Sequence, residues 1–98
     1  MKLDPSTTRD FHRIYHFQEE NAGFEHADEI EEKIYADIEV CDNYITSKYN
    51  DLTYKYICSG YRCFYTKIAD EDIVFAIFHR REDWQELVEG RYEDFIST

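Results

Sequence analysis

Proline and glycine are almost missing from this chain, with one Pro and three Gly in 98 residues. That composition leaves little room for disordered linkers or loop-dominated architecture. Long hydrophobic runs are missing too, and none approaches the roughly 20 residues of a membrane-spanning helix. No charged-then-apolar leader opens the sequence, so the expected setting is the cytoplasm, without membrane contact. Cysteine is sparse: there are three, an odd number, and none forms a C-x-x-C pair. That excludes a disulfide framework and the common zinc spacings. Cys41, expected on a helix, and Cys58 and Cys63, expected near a strand turn, read as small buried hydrophobes. Positive charge is scarce, 11 Lys and Arg against 22 Asp and Glu for a net −11. A broad surface for nucleic acid or anionic lipid is therefore not expected.

What is present is apolar and aromatic. Hydrophobic residues make up 43% and aromatics 17% of the chain, enough to bury one modest core, so residues 1–98 are expected to form a single domain. The densest run, Ile73-Val74-Phe75-Ala76-Ile77-Phe78, holds six residues that are β-branched or aromatic except for Ala76. Such a run reads as a strand buried on both faces, the spine of a sheet. Tyr61 to Ile68 is a tyrosine-rich strand carrying Arg62 and Lys67, joined to the spine by the acidic turn Ala69 to Asp72 as an antiparallel hairpin. Leu52 to Cys58 reads as a further strand, turned into that hairpin by Ser59-Gly60.

Upstream, Met1-Lys2-Leu3 suggests a short strand, and Asp4-Pro5 supplies an N-cap with proline at the first helical position. Phe11, Ile14, Tyr15 and Gln18 then recur at helical spacing, predicting a helix over about residues 5–21, stopped by Asn21-Ala22-Gly23. Ala27, Ile30, Ile34, Ile38, Cys41 and Ile45 predict a second, longer helix running back against the first. Thr46 to Asp51 breaks the pattern. Asp83 is placed to cap a short terminal helix from Trp84 to about Glu89, ended by Gly90. The economical arrangement is α+β: a short N-terminal strand, an antiparallel helical hairpin packed on an antiparallel sheet of three to four strands, and a short C-terminal helix.

Charge is unevenly distributed. Glu19 to Glu39 holds nine carboxylates against Lys33, and Glu82 to Asp94 six against Arg91, whereas Lys55, Arg62, Lys67, Arg80 and Arg81 fall in or beside the strands. His79, Arg80, Arg81, Asp83 and Trp84 leave the spine together and form the kind of cation-and-aromatic group that anchors protein interfaces. Trp84 has a second reading, as the residue that packs the terminal helix on the sheet. Arg62 sits in the most apolar third of the chain, and two fates are open to it: an ion pair with Asp83 or a neighbouring acid, or a role facing a target. His12 and His16 lie four apart on the first helix, but off its apolar stripe and without a third ligand, so they read as solvated surface residues. No metal or cofactor site is expected.

The order of elements resembles the ParE-like toxins of the RelE/ParE superfamily, on three pieces: Asp4-Pro5 opening the first helix, Gly60-Tyr61-Arg62-x-x-Tyr65 entering the central strand, and Ile77-Phe78-His79-Arg80-Arg81-Glu82-Asp83 leaving the last one. The resemblance spans nearly the whole chain. It implies the toxin of a type II toxin–antitoxin, plasmid-stabilising module, neutralised by a cognate antitoxin protein. ParE-like members are associated with poisoning DNA gyrase, so the implied reading is a non-enzymatic inhibitor without direct nucleic-acid contact. On that reading Arg62, His79, Arg80, Arg81, Asp83 and Trp84 are the residues expected to touch target or antitoxin. The alternative is a RelE-like, ribosome-dependent endoribonuclease, in which Arg62 with Arg80 or Arg81 would stabilise phosphate and His79 or Tyr92 would move protons. A third is a degenerate member that binds its antitoxin and poisons nothing. Two departures stand out: a first strand shorter than is usual for the superfamily, and an unusually acidic chain.

Overall fold

In the computed structural model, which describes residues 1–40 and 46–97, the spine is the strand Glu71–His79. In chain order the elements are β1 (Lys2–Leu3), a 3-10 turn (Pro5–Thr7), α1 (Thr8–Ala22), α2 (Phe24–Glu39), β2 (Thr46–Tyr49), β3 (Leu52–Ile57), β4 (Tyr61–Ile68), β5 (Glu71–His79) and α3 (Trp84–Ile96). The sheet order is β1-β5-β4-β3-β2. All pairings are antiparallel except that of β1, which runs parallel to β5 through Lys2↔Ile73 and Leu3↔Val74.

Asp4 opens the first helical segment as expected: its carboxylate accepts from the Ser6 backbone N–H at 3.0 Å, with Pro5 at the first position. The segment starts as a 3-10 turn and continues as α1 to Ala22, where Gly23 at φ 87 reverses the chain in one residue and donates to Glu19 O at 2.9 Å. Only a residue free of a Cβ enters that conformation cheaply. The helices then run antiparallel, since Phe11 stacks on Tyr35 at 4.4 Å and the Tyr15 hydroxyl meets Asp28 at 2.9 Å. Phe11 and Ile14 of α1 with Ile30, Ile34 and Ile38 of α2 press on Ile57, Tyr61, Cys63, Val74 and Ile77, the first face of the sheet. The continuation of this stripe expected at Cys41 and Ile45 lies outside the described residues.

The second face is filled by Leu52, Tyr54, Phe64, Phe75, Ala76 and Phe78 under Trp84 and Val88 of α3. A β-bulge divides the apolar run between the faces: Phe64 pairs with Ala76 but Tyr65 with Val74, leaving Phe75 as the extra residue. Phe75 and Ala76 consequently share the second face, while Val74 and Ile77 look to the first. The β4–β5 connection is tighter than the four-residue turn expected. Ile68 pairs with Glu71, and only Ala69 and Asp70 lie between them, both at positive φ (51 and 66), the mirror-image turn whose twist matches the strands.

Two expected boundaries shift. Thr46–Tyr49, read as a break, is the fifth strand, and alternates exposed and half-buried residues. An edge strand held by backbone bonds to β3 needs no apolar face, so it leaves little mark in the sequence. Gly90 does not end α3, which continues to Ile96 because Tyr92 and Phe95 beyond it pack on Phe75, at 5.3 and 5.5 Å between ring centres. Lys55 also differs from its expected place in a positive sheet surface. It is fully buried on the first face, and its ammonium donates to Asp37 O at 2.8 Å and Val40 O at 3.1 Å, capping the carbonyl end of α2.

Candidate protein-binding site

The six residues singled out at the end of the spine and on β4 do not form one cluster. Strand alternation places Tyr61 and its partner His79 on the first face, and Arg62 and its partner Phe78 on the second. Two surfaces result.

On the first-face side, Arg13, Ile14 and Phe17 of α1, Tyr61, and the segment His79-Arg80-Arg81-Glu82 line a groove of about 690 Å³. Backbone geometry holds its His79–Arg80 side. Ser59 and Gly60, at φ 59 and 84, turn their carbonyls toward the end of β5, where Ser59 O meets His79 Nε2 at 3.1 Å and Gly60 O accepts from Arg80 N at 2.9 Å. Glycine is favoured at 60 by its φ, and the space is also tight, since a Cβ there would lie 3.3 Å from Arg80 Cδ and 3.4 Å from His79 Nε2. His79 Nδ1 accepts from Arg81 N at 3.1 Å. With Nδ1 accepting, the ring is neutral and carries its proton on Nε2, facing Ser59 O. Burial lowers the His79 pKa from its ordinary value, and the neighbouring charges of Arg80 and Arg81 act in the same direction.

Glu82 folds inward. It accepts from His79 N at 3.0 Å and pairs with Arg13 Nε at 2.8 Å, so it neutralises neither Arg80 nor Arg81. Both of those arginines are exposed, and among the described residues neither forms a salt bridge. Tyr61 lines the groove wall, its hydroxyl bonded to Gln18 at 3.0 Å and its pKa raised, first by burial. Phe17, 55% exposed, stands on the rim.

On the second face the Arg62 guanidinium lies 4.6 Å from the Trp84 ring, 5.2 Å from Tyr56 and 5.9 Å from Tyr54. Rings take the place of the ion pair with Asp83 that was one of the two expectations. Nε and Nη1 of Arg62 are buried and have no hydrogen-bond partner among the described residues. The Tyr54 and Tyr56 hydroxyls meet at 3.5 Å, and this contact is the first cause of the raised pKa of Tyr54 and the lowered one of Tyr56. Trp84 is buried and follows its second reading: it packs α3 on Phe64 and Tyr49, at 5.6 and 4.9 Å between ring centres, and also covers Arg62. Asp83 stays exposed at the start of α3, where its carbonyl, not its carboxylate, accepts from Glu86 N and Leu87 N at 3.1 and 3.3 Å.

Sequence reasoning missed a third cluster. Asp10, fully buried, accepts from Arg13 Nη1 at 2.8 Å and from both Arg91 Nη atoms at 2.7 Å. Those guanidiniums also donate to Ile77 O at 2.6 Å and Phe75 O at 2.9 Å on β5. β1 is only two residues long, and past its end two arginines occupy the edge of β5 that a longer strand would pair. A signal was available, since Asp10 lies next to Phe11 and four residues before Ile14, inside the apolar stripe. His12 and His16 are exposed on α1, and no three His, Cys, Asp or Glu gather at a metal-binding spacing among the described residues. No helix among them is long and apolar enough to cross a membrane.

Compared with models of known families, residues 1–84 match the one described as ParE toxin of type II toxin-antitoxin system, parDE. That span includes both surfaces and stops at the first residue of α3. Comparisons with curated proteins and with solved structures find no match.

Proposed function

The chain belongs to the ParE toxin family of type II toxin–antitoxin systems, and from that premise we propose that it inhibits DNA gyrase by protein–protein binding and is neutralised by a cognate antitoxin seated in the α1/β5 groove. The observation that carries this reading is the pair of unneutralised arginines, Arg80 and Arg81, beside the exposed ring of Phe17, in a chain of net charge −11. A local patch of cations and aromatics framed by acids suits a protein surface with apolar anchors and carboxylates. It does not suit the dense phosphate field of a ribosome, where several phosphates must be neutralised at once. The disposition of candidate groups supports a non-enzymatic mode as well. Both ring nitrogens of His79 are engaged, and Arg62 lies on the opposite face of the sheet. Tyr92 is packed on Phe75 at 5.3 Å between ring centres.

One observation favours the endoribonuclease reading: the Arg62 guanidinium lies next to a tyrosine pair on the second face. Purified chain assayed in parallel for gyrase supercoiling and for ribosome-dependent mRNA cleavage separates the two, with an Arg62→Ala/Arg80→Ala/Arg81→Ala variant as control. Inhibition of supercoiling without cleavage is expected, abolished in the variant. Cleavage at defined positions that the variant lacks, with supercoiling untouched, establishes the enzyme instead, and silence in both assays indicates a member that only binds its antitoxin. A saturating antitoxin is expected to raise unfolding stability, by about 2.7 kcal/mol at a hundredfold excess over Kd.

A further inference from the structure

His79 ties together the two turns flanking the groove. Its Nε2–H points at Ser59 O in the β3–β4 turn, and its Nδ1 holds Arg81 N in the β5–α3 turn, both at 3.1 Å. The ring also meets Tyr61 edge-on at 4.9 Å between centres, which fixes its plane. A second link, Arg80 N to Gly60 O at 2.9 Å, does not depend on the ring. The Arg80–Arg81 segment is therefore clamped at one amide by backbone and at the next by a titratable acceptor. Protonation of Nδ1 converts that acceptor into a donor facing another donor, and the Arg81 amide loses its partner.

We infer that His79 is a positioning residue whose neutral, Nε2-protonated form holds Arg80 and Arg81 in the arrangement the partner reads, so that partner binding at the groove weakens on acidification. The partner assignment rests on the antitoxin reading above; the positioning role does not. The groups acting on the ring are Arg80, Arg81 and Glu82 on its own segment and Tyr61 on β4, with Cys58 and Arg13 acting in turn on Tyr61. Arg80 and Arg81 oppose a further positive charge, and Glu82, the one nearby carboxylate named among them, is already paired with Arg13 at 2.8 Å. The lowered pKa of His79 agrees with this balance.

The experiment has a free-chain arm and a binding arm. In the first, nitrogen-15 spectra of the isolated chain are followed from about pH 7.5 to about pH 5.5, the range in which a histidine titrates. An Nε2–H tautomer is expected at the upper end, with Arg81 amide protection lost in step with His79 protonation. In the second arm, affinity for the antitoxin of the same module is measured over the same range. It is expected to fall about tenfold in the wild type, the equivalent of one net hydrogen bond, and to stay flat in His79→Asn, whose side-chain oxygen can accept from Arg81 N but does not titrate. Equal melting temperatures of the two proteins at the upper pH establish that the variant folds. An Arg81 amide indifferent to His79 titration, or an identical pH slope in His79→Asn, overturns the positioning role. Absence of antitoxin binding at the upper pH removes the antitoxin reading of the groove, while the free-chain arm still decides the role of His79.

Discussion

Arg91 and Arg62 both lie against aromatic rings of the sheet, and the folded chain accommodates them in opposite ways. Arg91, its side chain 10% exposed, forms a two-pronged pair with Asp10, donates to Phe75 O and lies 5.8 Å from the Phe78 ring centre. Arg62 has rings on Trp84, Tyr56 and Tyr54 but no carboxylate, and two of its buried nitrogens have no partner among the described residues. The difference separates a cation met by a carboxylate from one met by rings. A buried charge that serves only the fold is expected to be paired, because removing it from water costs several kcal/mol otherwise. Arg62 is held by ring faces and by the Tyr54 and Tyr56 hydroxyls instead, with no carboxylate paired to it among the described residues.

The largest expected effect comes from removing the shared anion. Asp10→Ala leaves Arg13 and Arg91 without their common carboxylate, and should lower unfolding stability by about 3–5 kcal/mol in urea titration. A loss below about 1 kcal/mol would show that carbonyl bonds alone hold the two arginines. Next, Arg91→Met and Arg62→Met compare the two regions directly. The first should cost roughly 2–3 kcal/mol, since Asp10 and Phe75 O both lose a donor, whereas the second should stay within about 1 kcal/mol of the wild type or stabilise it. Gyrase inhibition should show the reverse order, with Arg62→Met the more damaging. Equal losses of stability in the two variants would end the distinction.

Smaller effects bear on the elements that carry these side chains. Gly90 lies within α3, one residue before Arg91, and a Cβ there meets nothing within 4 Å. Gly90→Ala should therefore raise stability by about 1 kcal/mol through helix propensity, measured by thermal melting, without altering the Arg91–Asp10 pair. The smallest effect is a dependence on pH. Burial first, with Arg80 and Arg81, holds His79 below its ordinary value of 6.5 in the folded chain. The unfolded chain then binds more protons in that range, so stability is fully present above about 6.5 and declines as pH falls through the folded pKa. His79→Asn should flatten that part of the stability profile, and Arg62→Met should leave it unchanged.

Much of this comparison was hidden from the sequence for identifiable reasons. The spine was legible because Ile73 to Phe78 is apolar on both faces, and the helical hairpin because Ile30, Ile34 and Ile38 keep one face at helical spacing. β2 was not, because Thr46–Tyr49 only half-buries one face, at Ser47 and Tyr49, and owes its pairing to β3. The end of α3 was misplaced because Gly90 is a local stop signal that the packing of Tyr92 and Phe95 on Phe75 overrides. Of the candidate residues, Arg62 and the His79 to Trp84 segment were identifiable as unusual charges and aromatics in an apolar setting. Their division between two surfaces depends on strand alternation at Tyr61, Arg62, Phe78 and His79 and on the turn that follows.

The sequence by itself determined the helical hairpin, the three central strands and their apolar core, because periodicity and hydrophobicity act over a few neighbouring residues. It also determined the family, whose model matches residues 1–84. Only the tertiary structure decided which charges neutralise one another. Asp10 and Arg91 are 81 positions apart, and Glu82 pairs with Arg13 across the end of β5 instead of with adjacent Arg81. Charge pairing at such separations depends on distances of a few ångströms that exist only after the core has closed. The same closure leaves Arg80 and Arg81 facing solvent and Arg62 against its rings.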